Sequence, residues 1–234
     1  MQRIPLILTR PEGANSAFAA EFPKPLAAQL EFIDAPLIEI APIEAEVALE
    51  PSTAAIFTSV NGVRFAPHIV GQPAYCVGMR TTRAALAAGW EAVCLGKNAK
   101  ELIAALLRLR PDVPLCHFSG VHVRGQISDT LTEAGLHASR IEVYDQLLLP
   151  LSAPAIFALT SQRPVIVPLF SPRAAAHFAE IAPVSQQLRV VTISEAVTQA
   201  LGDMVRFDTL TAVDPTADGV ISLIEKHVAA ISLG

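Results

Sequence analysis

Short apolar runs recur along the chain, and most are followed by a stretch whose apolar residues return every three or four positions. That alternation is the βα rhythm of a parallel sheet. The runs predict strands over 6–9, 37–41, 54–59, 74–78, 92–96, 114–120, 141–149, 165–171, 189–194 and 209–214. Between them, alanine-rich stretches such as "AKELIAALLRLR" and "PRAAAHFAEIA" predict helices, because alanine carries no helix-propensity cost. Pro168 conflicts with the strand drawn around it, since proline cannot donate to a ladder. It implies a bulge or a narrower strand.

The elements repeat. "AAIFTSVNGVRFAP" (54–67) echoes "VIVPLFSPRAAAHFAE" (165–180), and residues 75–106 parallel residues 190–224. In the second pair Asn98 with Glu101 forms a capping-box start, and Thr216 is the corresponding cap. Residues 6–42 and 114–145 share another pattern: strand, turn, helix, then an exit strand, which in the latter carries Tyr144. The order is exit unit, core unit, exit unit, core unit. Two α/β domains connected by two strands are the economical reading, and a single repeated sheet is the alternative.

Composition narrows the class. At 234 residues, 52% hydrophobic and 17% charged, the chain suits one large globular domain or two small ones. The start "MQRIPLILTRPEG" is no signal peptide, because its apolar run ends at Thr9, Arg10 and Pro11. No window approaches the roughly 18 apolar residues of a membrane span. A cytoplasmic, monomeric protein without a membrane partner is expected. The net charge of −5 argues against nucleic acid, which calls for a basic surface. Cys76, Cys94 and Cys116 show no CxxC spacing and are expected to be buried thiols on strands. No HxxxH pair occurs. His117 and His122 flank a glycine turn, where a packed or solvated role is preferred to a ligand role. No metal site is expected.

In an open α/β sheet, ligands lie beyond the carboxyl ends of the strands, where helix N-termini present free N–H groups. Those ends carry Thr9 and Arg10; Thr58, Ser59 and Asn61; Gly78, Arg80 and Thr81; and Ser119 and Gly120. Ser171 with Arg173, and Ser194, complete the set, and Arg124 lies shortly after Gly120. Any one hydroxyl serves equally well as a helix cap, and any one arginine as a solvated charge. Together they favour a ligand rich in carboxylates. GxGxxG after a strand, GxxxxGK[ST] and GxSxG are all absent, so dinucleotide, P-loop and nucleophile-elbow chemistry have no support. A cofactor-free reaction or simple ligand binding remains.

The ordered set "LTRPEG", "PLIEIAP", "FTSVNGV", "VGMRTTRAALAAG", "SGVHVRGQISDTLTEAGL", "IEVYDQ", "LFSPRAAAHF", "VVTISEAVTQAL" and "DPTADGVISLI" resembles the uroporphyrinogen-III synthase family over nearly the whole chain. The resemblance implies two parallel-sheet, flavodoxin-like α/β lobes joined by a two-stranded β linker. Residues 1–34 and 151–234 would form one lobe, 48–138 the other, and 35–47 with 139–150 the linker. The active site would be the cleft between lobes.

The implied reaction is a cofactor-free dehydrating cyclisation of linear hydroxymethylbilane, which carries eight carboxylates, with inversion of ring D through a spiro intermediate. The resemblance assigns Tyr144 as the acid that helps the hydroxyl depart; otherwise it is a strand aromatic. A phenol stays protonated at neutral pH and can donate. One departure matters: the family's I-G-x-x-T turn reads Ile193-Ser194-Glu195-Ala196-Val197, so no binding role passes to Val197, whereas Thr81 keeps the pattern. The competing reading is a non-catalytic bilobal binding module or sensor for a polycarboxylate or sugar.

Overall fold

The computed structural model describes residues 3–44, 50, 52–67, 69–122, 126–183, 185–202 and 208–233. By contacts the chain divides into two compact units, Met1–Glu39 with Leu147–Gly234, and Ile40–Gln146. In chain order the elements begin β1 (Ile4–Leu8), α1 (Ala14–Ala20), α2 (Lys24–Ala27), β2 (Leu30–Asp34), β3 (Ile38–Pro42), β4 (Ala54–Phe57) and α3 (Val60–Phe65). They continue with β5 (Pro73–Val77), α4 (Gly78–Ala87), β6 (Glu91–Gly96), α5 (Ala99–Leu109), β7 (Leu115–Gly120), α6 (Ile127–Glu133) and β8 (Ala138–Leu148). The last are α7 (Ala153–Thr160), β9 (Val165–Leu169), α8 (Pro172–Ile181), β10 (Leu188–Thr192), α9 (Glu195–Gln199), β11 (Asp208–Thr211) and α10 (Ala217–Leu233).

The first unit's sheet has the order β11-β10-β9-β1-β2, with every pairing parallel. Strands covered on both faces need continuous apolar runs rather than alternation. β1 meets that demand with IPLIL, buried at all five positions. Phe18 of α1 fills the space beneath it and makes edge-to-face contacts with Phe22 and Phe170 at 5.1 and 4.9 Å.

β9 runs through Pro168 without a bulge, in even register with β10 from Val165 to Leu169. Of the two expectations the narrower strand is the one met: β9 ends at Leu169, two residues short of the apolar run. The Thr9 side chain meets this position, its hydroxyl donating to the Pro168 carbonyl at 2.9 Å. A side-chain donor thus reaches the proline from the end of β1. Thr9→Val keeps the shape and removes this buried hydrogen bond. It is expected to cost about 1 kcal/mol, read as a lower urea midpoint by circular dichroism.

The second unit's sheet has the order β3-β8-β7-β4-β5-β6. Its run β8-β7-β4-β5-β6 matches the first sheet's β2-β1-β9-β10-β11, strand for strand. The repeat in the sequence therefore reappears as strand order, entered by the chain at a different point, and the single-sheet alternative is excluded. Counted within the first unit, the order is the flavodoxin-like 2-1-3-4-5.

β2 is an addition to the expected strands: the strand beside β1 is Leu30–Asp34, whereas the predicted strand at 37–41 corresponds to β3, which neighbours β8. In the later half one long strand, β8, covers both stretches. The caps follow the sequence. Asn98 accepts from Glu101 N at 2.9 Å, and Thr216 accepts from Gly219 N at 3.1 Å. Glu101 reaches back to Lys97 N, one residue ahead of the cap, at 2.8 Å. Cys76 and Cys116 are buried, but Cys94 is exposed, because β6 is the last strand of its sheet. Among the described residues no helix is long and apolar enough to cross a membrane.

Candidate active site

In the second unit the chain order reverses between β4 and β7, and the strand ends beside that point carry the polar residues picked out by sequence. Thr58 and Ser59 follow β4. Ser59 caps α3, accepting from Gly62 N at 3.0 Å, and Asn61 is half-buried in the first turn of α3. Next to it, β5 turns directly into α4 at Gly78, whose φ of 75° favours glycine. Arg80 is exposed on the first turn of α4, while Thr81 is buried.

On the other side of β4 lies the end of β7. Ser119 is buried, donates to Gly120 O at 3.1 Å and accepts from Arg140 Nε at 2.8 Å. Tyr144 on β8 is 5% exposed, and its hydroxyl lies 3.1 Å from Ser59 Oγ. The hydroxyl end of the phenol ring lies against Gly120. A Cβ at Gly120 would stand 2.6 Å from the ring, so any larger residue would push the phenol away. Tyr144 is thus largely core, packed near Phe65, with its oxygen brought to the carboxyl edge of the sheet.

His117 on β7 is 2% exposed, and its Nε2 lies 3.2 Å from Thr58 Oγ1. Burial, with the Arg140 charge adding to it, lowers its pKa from 6.5 to about 4. It is neutral at physiological pH and either donates to or accepts from Thr58. The packed reading of this histidine holds. His122 lies 3.3 Å from Asp145 in a half-exposed pair.

The first unit repeats the design. Ser171 caps α8 at the end of β9 as Ser59 caps α3, accepting from Ala174 N at 3.2 Å. Arg10 follows β1, held over the rings of Phe170 and Phe18 at 4.7 and 5.8 Å. Arg173 is half-buried in the first turn of α8. Ser194 is the N-cap residue of α9 without a side-chain capping bond. Thr9 is the exception, 2% exposed with its proton given to Pro168. Arg124 lies outside the described residues.

Val197 is buried, and Thr198 beside it turns its hydroxyl toward Thr192 and Thr211, at 2.5 and 2.8 Å. The missing threonine of the I-G-x-x-T turn therefore has a neighbour one position on that packs inward. Sequence reasoning also missed Arg140. Its one signal is the succession Val143-Tyr144, two apolar residues that break the alternation of Ile141-Glu142-Val143. No group of three or more His, Cys, Asp or Glu among the described residues could hold a metal ion.

Comparison with known proteins agrees along almost the full length. A family model described as uroporphyrinogen-III synthase HemD matches residues 24–222. The crystal structure of uroporphyrinogen-III synthetase from Helicobacter pylori 26695 aligns over 100% of both chains, with TM-score 0.67 and 16% identity. A mutant uroporphyrinogen III synthase from the extremely thermophilic bacterium Thermus thermophilus aligns over 97% of this chain and 99% of its own, with TM-score 0.51 and 13% identity. At these identities the two structures speak to the fold. No curated protein matches the sequence. The family match covers well over half of the residues, and the chain belongs to the uroporphyrinogen-III synthase family.

Proposed function

We propose that the chain converts linear hydroxymethylbilane to uroporphyrinogen III in tetrapyrrole biosynthesis, as a cofactor-free cyclising lyase acting as a cytoplasmic monomer. The observation that carries this reading is the family match over residues 24–222. The geometry supports it: each sheet gathers capped helix starts, hydroxyls and arginines at its carboxyl edge, donors suited to a substrate with eight carboxylates. The non-catalytic binding alternative has no comparable support.

The chemistry sets a demand for orientation. Expulsion of the terminal hydroxyl leaves a stabilised cation that closes readily without inversion, giving the type I isomer. The enzyme must hold the chain folded so that ring D is attacked at its substituted position. That is control by proximity and orientation more than by acid strength. Thr58, Ser59, Asn61, Gly78, Arg80, Thr81 and Gly120 would hold the substrate on the second unit. Arg10, Ser171, Arg173 and Ser194 would do so on the first, and Arg124 would join them. Thr9 and Ser119, with their protons already given to carbonyls, would act as supports. Tyr144 would donate to the departing hydroxyl.

Freshly made hydroxymethylbilane with the purified protein is expected to yield the type III isomer; type I alone at the spontaneous rate would overturn the reading. Tyr144→Phe is expected to lower kcat about 10-fold with little change in KM. The factor is below the usual 10²–10⁴ of a positioned acid because the pyrrole itself expels the hydroxyl. Undiminished turnover would dismiss the acid role and leave the cyclase intact.

A further inference from the structure

We propose that Arg140 is the positioning residue for Tyr144: its guanidinium holds the bulge that turns the phenol toward Ser59. The proposal rests on the reading of Tyr144 given above, and adds what puts that side chain where it is.

Strands β7 and β8 run in even register from Leu115↔Ala138 to Ser119↔Glu142, and the next pair is Gly120↔Tyr144. One extra residue, Val143, has entered β8. Side chains alternate across a strand, so Arg140 and Glu142 share a face with His117 and Ser119, while Ile141 shares the other with Cys116 and Phe118. Unbroken alternation would put Tyr144 on the Arg140 face. The extra residue moves it to the opposite face, where Val143 and Tyr144 both pack with Phe57, Phe118 and Trp90. The position of the phenol is therefore a property of the bulge.

A bulge disrupts the ladder, and the disrupted end needs donors. Arg140 supplies them. Its Nη2 donates to Gly120 O at 2.8 Å and to Val121 O at 3.0 Å, and its Nε donates to Ser119 Oγ at 2.8 Å. Nη2 also pairs with Glu142 at 2.9 Å, so one guanidinium ties the end of β7 to the residue just before the bulge. On the far side, Val121 N closes onto Tyr144 O at 3.0 Å. The pair with Glu142 is half-exposed and contributes little by itself. The planar fork on three oxygens does the holding, which a lysine ammonium cannot reproduce.

The chain has only two tyrosines, so Tyr75→Phe leaves Tyr144 as the single tyrosine. In that background, protein labelled with 3-fluorotyrosine gives one ¹⁹F resonance. It is expected to shift or split in Arg140→Lys and Arg140→Gln, to shift less in Glu142→Gln, and to stay in place in Arg163→Lys. A resonance unmoved by Arg140→Lys would overturn the proposal, even if Arg140→Gln fails to fold. Turnover gives a second readout. Arg140→Lys is expected to lower kcat about as far as Tyr144→Phe, and the double variant to fall no further. Losses that multiply would mean that Arg140 acts by another route and would also overturn the proposal. A resonance that moves while neither Arg140→Lys nor Tyr144→Phe slows turnover would support the positioning and reject the acid reading of Tyr144.

Discussion

Phe57→Ala is expected to cost the second unit about 3–5 kcal/mol, the usual result of truncating a fully buried aromatic. The ring is 0% exposed. It meets Trp90 edge to face at 5.2 Å and stacks on Phe118 at 5.7 Å, joining β4 to β7 at the point where the chain order reverses. Alanine leaves a cavity there and removes two ring contacts that add to the area term. Trp90 is the only tryptophan in the chain, so its fluorescence reads the unfolding of this unit by itself. With a slope of about 1–3 kcal/mol per molar urea, the midpoint should fall by about 1 M or more. An unmoved midpoint would show that the stack carries little of the unit's stability. The loss would reach function as well, because Thr58 and Ser59 follow Phe57 directly.

Acid should unfold the same unit through His117. Its pKa is lowered to about 4 in the folded protein, by burial first and the Arg140 charge second, against 6.5 when unfolded. The folded state therefore resists a proton that the unfolded state accepts. The histidine imposes no penalty above pH 6.5, and stability declines as pH falls from 6.5 toward 4, by about 3 kcal/mol in all. Asp129 lines the same small cavity as His117 and Arg140. Urea midpoints from Trp90 fluorescence at pH 7.5, 5.5 and 4.5 should fall more steeply in the wild type than in His117→Gln as pH falls. Parallel lines for the two proteins would remove His117 as the cause.

Much of the architecture was legible because a doubly covered parallel strand must be written in continuous apolar residues, as IPLIL and AAIF are. β2 escaped for the converse reason: in LEFID, Glu31 and Asp34 break the run, and only Leu30 is buried. Pro168 correctly marked a strand narrower than its apolar run, but the sequence cannot show that a threonine 159 positions away would reach its carbonyl. The candidate site was legible as a set of turns, because strand ends and caps have local signatures. What each hydroxyl bonds to was not. Ser59 and Ser171 look alike in sequence and cap alike, whereas Thr9 donates to a carbonyl 159 positions away and Ser119 accepts from Arg140, 21 positions on, contacts that no local pattern encodes. Arg140 stayed hidden because its role depends on a one-residue slip between two strands.

The order of strands also sets a schedule for synthesis. β1, with five buried apolar residues, pairs with β2 and β9, and Thr9 meets Pro168 across those 159 positions. At ribosomal rates of about 5–20 residues per second, β1 emerges roughly 8–30 seconds before its central partner strand exists. The whole of Ile40–Gln146 is made in that interval and holds every strand of its own core. The inserted unit can mature on the nascent chain, while the edge of β1 that will take β9 waits unpaired. That waiting segment is where a chaperone would be needed during translation.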